Sequence, residues 1–122
     1  MKKILATLLM IFLTACSKPT FQGNTYVLTT SPKNLPITLS FSDTDNKFSG
    51  KAVNNYFGTY TLNGQQITFS QIGSTMMMGE PSQMIAETTY FQELAQVRSF
   101  RIANNYLVLI LENKKELLFE KE

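Results

Sequence analysis

Alternating apolar and polar side chains restrict most of this chain to a strand-based fold. Ile37, Leu39 and Phe41 are separated by small hydroxyl residues, and this period of two predicts a strand with one buried face. Asn63-Gly64 predicts a tight type I′ hairpin, because this turn requires positive φ angles. A first strand begins near Thr25, and the others are predicted at residues 47–53, 55–62, 66–72, 98–102, 106–112 and 116–120.

One segment has the signals of a helix instead. Pro81 after Glu80 is typical of a first helical turn, and apolar residues then follow at helical spacing. The stripe expected to be buried consists of Met84, Ile85, Thr88, Phe91, Leu94 and Ala95. The sequence therefore predicts a mainly β (α+β) domain with an antiparallel sheet of about seven or eight strands and one packed helix.

Composition and charge exclude several classes of function. The 122 residues, of which 43% are hydrophobic and 16% charged, fit one globular domain. Lys2 and Lys3 account for the net charge of +2, and without a basic cluster we expect no nucleic-acid partner. The chain has no His, which excludes imidazole catalysis and the common His-containing zinc sites. We expect no enzyme activity, no metal and no cofactor.

The first residues have the pattern of a bacterial lipoprotein signal peptide, predicted to cover residues 1–15. Its apolar run from residue 4 to residue 13 is about half the roughly 20 residues that cross a bilayer as a helix. Leu13-Thr14-Ala15-Cys16 resembles a lipobox, in which cleavage precedes a cysteine that then carries lipid. An ordinary signal followed by a chance cysteine is the alternative.

Lipid on Cys16 would hold the protein on a membrane, because several acyl chains together bind stably. By resemblance to Gram-negative lipoproteins, Ser17 in place of aspartate predicts the outer membrane, facing the periplasm. Residues 16–24 are mostly small and polar and are expected to form a tether. The domain is expected to cover residues 25–122.

Two short motifs suggest metal binding only weakly. Asp43-Thr44-Asp45-Asn46 has too few acidic residues for a typical calcium loop, and a plain turn is the favoured interpretation. Met76-Met77-Met78 offers soft thioether ligands for copper. Consecutive residues on a strand point to opposite faces, however, and Met commonly fills gaps in a core. We therefore expect these methionines to be core residues.

Several segments together resemble the META domain of HslJ-like heat-shock lipoproteins. They are Gly50 to Tyr60, including Asn54-Asn55-Tyr56-Phe57-Gly58, then Ile67-Thr68-Phe69, Ser74 to Met78, and the ending Lys115 to Glu120. The resemblance covers about residues 24 to 120 and implies a twisted antiparallel sheet, partly closed like a barrel, with one packed helix. It does not imply an enzyme. Many relatives carry two cysteines where this chain has Val53 and Gly79, so that possible disulfide is absent here.

The resemblance implies a non-catalytic envelope lipoprotein, a stress-tolerance binding module for an unknown protein or small ligand, which we expect to be a monomer. Asn54, Asn55, Tyr56 and Tyr60 are the candidate binding surface, although a turn followed by sheet residues also explains them.

Two other classes remain open. The first is a lysozyme-inhibitor-like periplasmic lipoprotein, in which Lys47 and Lys51 would serve a projecting loop. The second is an adhesin or assembly role, which would require an exposed apolar patch of several hundred square ångströms.

Overall fold

The computed structural model describes residues 21–122, which form eight strands and one helix. The strands are β1 Thr25–Leu28, β2 Thr38–Phe41, β3 Lys47–Lys51, β4 Asn55–Asn63, β5 Gln66–Ser74, β6 Val97–Ala103, β7 Tyr106–Leu111 and β8 Glu116–Lys121, and the helix α1 is Pro81–Leu94. Each strand pairs antiparallel with the next, and β8 pairs with β1 to close a barrel. The predicted fold class is confirmed. The signal peptide, Cys16 and residues 16–20 of the predicted tether lie outside the described residues. The rest of that predicted tether, residues 21–24, is part of the fold, because the Phe21 side chain is buried in the core and the Gly23 backbone N–H donates to the Phe41 carbonyl.

Aromatic rings fill the barrel and close one of its ends. Phe21 is fully buried, and its ring centroid lies 4.5 Å from that of Phe41, 5.7 Å from Tyr60 and 5.2 Å from Phe100. The described chain therefore enters the fold at this end, which we call the N-terminal pole.

Helix α1 covers the opposite end of the barrel. Tyr90 of α1 packs on Tyr56 and Phe119, with ring centroids 5.6 and 6.4 Å apart. Tyr56 lies four residues before Tyr60 on β4, a separation of roughly 13 Å along a strand. Because Tyr60 contacts Phe21 and Tyr56 contacts the helix, the two tyrosines mark opposite ends of the barrel interior.

The buried face of α1 differs from the predicted stripe. The helix buries Glu87, Tyr90 and Leu94, whereas Ile85 is 67% exposed, so only part of the expected stripe points inward. The reason is that polar groups select the face: Glu87 and Tyr90 have hydrogen-bond partners inside the barrel end.

The β4–β5 hairpin also corrects a prediction. Asn63 pairs with Gln66, which leaves Gly64 and Gln65 as the two loop residues. Among the turn residues only Gly64 has a positive φ, 63°, and this fits the type II′ pattern with glycine at the first central position. The hairpin is as expected, but its turn lies one residue later and is not of type I′.

No helix within residues 21–122 is long and apolar enough to cross a membrane.

Candidate functional site

The four residues predicted to form a binding surface do not share one. Asn54, Tyr56 and Tyr60 are only 2%, 1% and 1% exposed, and Asn55 alone is exposed. The expectation of a surface is corrected for the three buried residues because alternation on β4 directs both tyrosines into the barrel. Asn54, just before β4, points into the polar contact described next.

Asn54 holds the segment that follows β5. Its side-chain oxygen Oδ1 accepts hydrogen bonds from the Thr75 hydroxyl at 2.9 Å and from the Met77 backbone N–H at 2.5 Å. Its amide nitrogen Nδ2 donates to the Met77 carbonyl at 3.1 Å. One side chain thus bonds both backbone groups of Met77, which fixes the path of this segment at the helix-covered end of the barrel.

Glu87 of α1 completes this contact. Glu87 Oε1 accepts a hydrogen bond from Asn54 Nδ2 at 3.0 Å, and Oε2 accepts one from the Asn54 backbone N–H at 2.7 Å. Glu87 is 4% exposed, so these donors rather than water satisfy its two side-chain oxygens. We call Asn54 and Glu87 the polar node, because it joins the start of β4, the segment after β5 and the helix.

Two buried tyrosine hydroxyls form a chain beside the polar node. The hydroxyls of Tyr56 and Tyr90 are 2.6 Å apart, and Tyr56 also bonds the Thr38 carbonyl. A carbonyl only accepts, so Tyr56 donates to Thr38 and accepts from Tyr90. Burial raises the pKa of both phenols well above 10.0, and the neighbouring Tyr90 raises that of Tyr56 further. Both phenols therefore remain protonated in neutral solution.

Gly50 makes room for this arrangement. A Cβ at residue 50 would lie 2.1 Å from the Thr38 carbonyl oxygen and 2.5 Å from the Tyr56 hydroxyl. Gly58 has a comparable role, since a Cβ there would lie 2.6 Å from the Phe48 ring. The two glycines that flank the Asn-Asn-Tyr-Phe motif are thus explained by close packing.

The methionine triplet is exposed. Met76, Met77 and Met78 are 90%, 57% and 85% exposed, and Ile85 on α1 is 67% exposed. We call these four residues the methionine pole. The prediction that the methionines fill the core is wrong, because the polar node holds this segment by its backbone and leaves the side chains in solvent.

The stretch that leads to the methionine pole is uncharged. No Asp, Glu, Lys or Arg occurs between Lys51 and Glu80, which include all of β4 and β5. The periodicity of apolar residues does not report this feature, which is defined by where charged residues are absent.

Other predicted sites have simple structural explanations. Lys47 and Lys51 are the two ends of β3 and do not lie on a projecting loop. The Ser42 hydroxyl accepts hydrogen bonds from the Thr44 and Asp45 backbone N–H groups, as in a plain turn. Within residues 21–122, no three His, Cys, Asp or Glu residues are close enough to hold a metal ion together.

A cleft between α1 and the β1–β2 loop has a volume of about 230 Å³. It is lined by Leu28, Thr30, Pro32, Ile37, Ala86, Thr89, Tyr90 and Glu93. Small-molecule sites are usually larger, roughly 300 to 1,000 Å³. This cleft is therefore small for a drug-sized ligand.

Comparisons with known proteins agree with this architecture. A sequence model of the META domain matches residues 19–122. An NMR structure of a protein from Burkholderia xenovorans has a TM-score of 0.72 at 20% identity, covering 96% of this chain and 99% of that one. A second NMR structure has a TM-score of 0.64 at 25% identity, covering 83% and 91%.

A third similar structure shares less of its length. The crystal structure of a DUF4847 family protein from Bacteroides vulgatus has a TM-score of 0.53 at 22% identity, covering 69% of this chain and 57% of that one. No curated protein matches the chain. The structural similarities establish the fold, and the match to the sequence model covers nearly the whole barrel.

Proposed function

The chain belongs to the META domain family, and from this premise we propose that it is a non-catalytic module that binds another protein of the cell envelope. Lipid on Cys16 anchors it to the outer membrane, facing the periplasm, and the binding serves stress tolerance. The resemblance to HslJ-like heat-shock lipoproteins supports the assignment to stress.

The observation that carries this proposal is the methionine pole. Four large apolar side chains are exposed there, on a segment and a helix that a buried polar contact holds together. Exposed apolar groups on a fixed backbone favour binding, because the backbone loses little conformational freedom when the partner binds. Methionine suits such a surface, since its flexible thioether adapts to irregular partners.

The position of the described N-terminus supports an outward-facing binding surface. Five residues, 16 to 20, separate the predicted lipid from Phe21, and an extended chain of this length reaches at most roughly 18 Å. Phe21 closes the N-terminal pole, so lipid on Cys16 would keep that pole near the membrane. The methionine pole would then point away from the membrane, toward other envelope proteins.

The chemistry of the buried polar groups supports a non-catalytic role. Glu87 accepts hydrogen bonds from Asn54 with both oxygens, and the hydroxyl of Tyr56 is bonded to Thr38 and Tyr90. These groups hold the fold together and do not face a substrate-sized cleft. The META family is in general non-catalytic, which agrees with this interpretation.

Site-specific photo-crosslinking in living cells tests the proposal. A photoreactive residue is placed at position 78 or 85 of the full-length protein, and at position 63 as the control at the N-terminal pole. We expect one envelope protein to be captured from positions 78 and 85 only, and to be lost when Ile85→Glu is added to the position 78 variant. Equal capture from position 63, or no capture from either site at the methionine pole, contradicts the proposal.

Fractionation tests the anchor separately. The native protein should remain with outer-membrane fractions, and Cys16→Ala should not carry lipid. If both forms fractionate alike, the lipid anchor is refuted while the crosslinking result still stands.

A further inference from the structure

We propose that Met76 and Met78 form a two-sulfur site for a soft monovalent cation, Cu(I) or Ag(I). Both side chains belong to the methionine pole, but binding of the cation does not require a protein partner. The inference starts from the backbone of the residue between the two methionines.

The two hydrogen bonds of the Met77 backbone are those of an extended chain, although Met77 lies beyond the end of β5. Its N–H donates to Asn54 Oδ1 and its carbonyl accepts from Asn54 Nδ2, so both backbone groups point to the same side of the chain. A residue in an antiparallel strand uses its N–H and its carbonyl in the same way when both bond one residue of the adjacent strand. In an extended chain the side chains before and after a residue share a face, opposite to its own. Met76 and Met78 therefore lie on one face and Met77 on the other.

The exposure of the three side chains agrees with this alternation. Met76 and Met78 are 90% and 85% exposed, whereas Met77 is 57% exposed. The two outer thioethers are thus free to move, and packing does not hold either sulfur away from the other. The backbone beneath them is fixed by Asn54, which is 2% exposed.

The spacing suits two sulfur ligands on one ion. At about 3.3 Å per residue, the Cα atoms of Met76 and Met78 are separated by roughly 6.6 Å. A metal–sulfur bond is about 2.3 Å long, so an ion between two sulfurs needs them at most about 4.6 Å apart. Met side chains have three rotatable bonds, which is enough to bring the sulfurs to this separation.

The donor atoms select the class of ion. Thioethers are soft ligands that favour Cu(I) over hard cations such as Mg²⁺ and Ca²⁺. They are neutral and carry no proton, so binding should not change with pH, unlike binding by histidine or thiolate. The chain has no His, which leaves imidazole out of any competing site.

Isothermal titration with Ag(I) in a chloride-free buffer tests the proposal, because Ag(I) is a soft cation that is not oxidised by air. The protein as purified from cells in detergent is compared with Met76→Leu, Met78→Leu and the matched control Met77→Leu. We expect one Ag(I) to bind the native protein, with an affinity that falls about tenfold or more in each outer variant and less than about twofold in the control. The affinity should be equal at pH 5.5 and pH 7.5, roughly within error.

Three results would overturn the site: no binding of Ag(I) to the native protein, an equal loss in Met77→Leu, or unchanged binding in the Met76→Leu/Met78→Leu double variant. Leucine keeps the apolar character and approximate size of these exposed side chains, so each substitution tests the loss of the sulfur atom. Unfolding temperatures of all variants serve as the check that the barrel is intact.

Discussion

Asn54→Asp changes one NH₂ group of the polar node into an oxygen and leaves the volume of the side chain almost unchanged. In the native protein this NH₂ donates to Glu87 Oε1 at 3.0 Å and to the Met77 carbonyl at 3.1 Å. The substitution would remove both hydrogen bonds. It would also place a second carboxylate against Glu87, where water has little access because both positions are buried.

The loss in the free energy of unfolding caused by Asn54→Asp has two contributions. Two hydrogen bonds are worth about 1 kcal/mol each, and two like charges about 4 Å apart repel by about 4 kcal/mol at an effective dielectric constant of 20. Protonation of one carboxyl relieves part of this repulsion, so we expect a loss of about 3 to 6 kcal/mol at pH 7. The free energy of unfolding of a small domain is about 5 to 15 kcal/mol, so the variant should be barely stable.

The loss of stability in Asn54→Asp should be smaller in acid than at pH 7. In the folded variant the carboxyl introduced at position 54 should hold its proton more tightly than in the unfolded chain, which raises its folded pKa. A raised folded pKa adds stability below the unfolded value, near 4, and this stability is lost as the pH rises. The variant should therefore be closest to the native protein in acid. Asn54→Ala, which adds no charge, is the control for loss of the hydrogen bonds alone.

Urea denaturation at pH 4 and pH 7 measures both effects. Adding Glu87→Gln to Asn54→Asp should recover about 3 kcal/mol at pH 7, because the new amide at position 87 can donate to the carboxylate at position 54. An equal loss at the two pH values, or a double variant no more stable than Asn54→Asp alone, would refute the account of the polar node.

Three further outcomes are expected. Gly50→Ala should cost several kcal/mol in urea denaturation, because its Cβ would meet a backbone carbonyl at 2.1 Å, whereas Gly73→Ala, which meets only an exposed ring, should cost less. Burial raises the pKa of Tyr26, Tyr56 and Tyr90, so the free energy of unfolding should hold below pH 10 and fall above it by up to about 1.4 kcal/mol per pH unit for each phenol. Tyr56→Phe should reduce this slope by the contribution of one phenol. Ile85→Lys should change stability by less than about 0.5 kcal/mol, and a larger loss would show that Ile85 packs on the barrel.

Local patterns were enough to predict the strands. Ile37, Leu39 and Phe41 are buried as their alternation indicates, because one face of each strand points into the barrel and the other into solvent. The resemblance implied only a partly closed sheet, and the pairing of β8 with β1 was not predicted, since alternation within a strand does not say which strands are neighbours. The helix was also located correctly from Pro81.

The candidate site could not be predicted in the same way. Asn54 and Glu87 are 33 residues apart in the sequence. Each belongs to a sequence context typical of an exposed residue: Asn54 to an Asn-Asn pair that suggests a turn, and Glu87 to a helix. Their burial depends on a contact between distant segments, which no local period reports. The prediction that the three methionines are buried failed for the opposite reason. Their apolar side chains indicate a core, while the backbone beneath them is held elsewhere by Asn54.

Pairing of the first and last strands has a consequence for how the chain folds. Val27 lies opposite Glu120, and the Glu122 backbone N–H bonds the Thr25 carbonyl, so the ring of strands is complete only when both ends of the domain are present. Contacts between segments far apart in sequence slow folding, because the whole intervening chain must first be ordered. A polypeptide emerging in order would keep β1 without one of its neighbours until β8 appeared. If the chain is exported as we propose, such a late-closing topology would leave a period in which it can still cross the membrane unfolded.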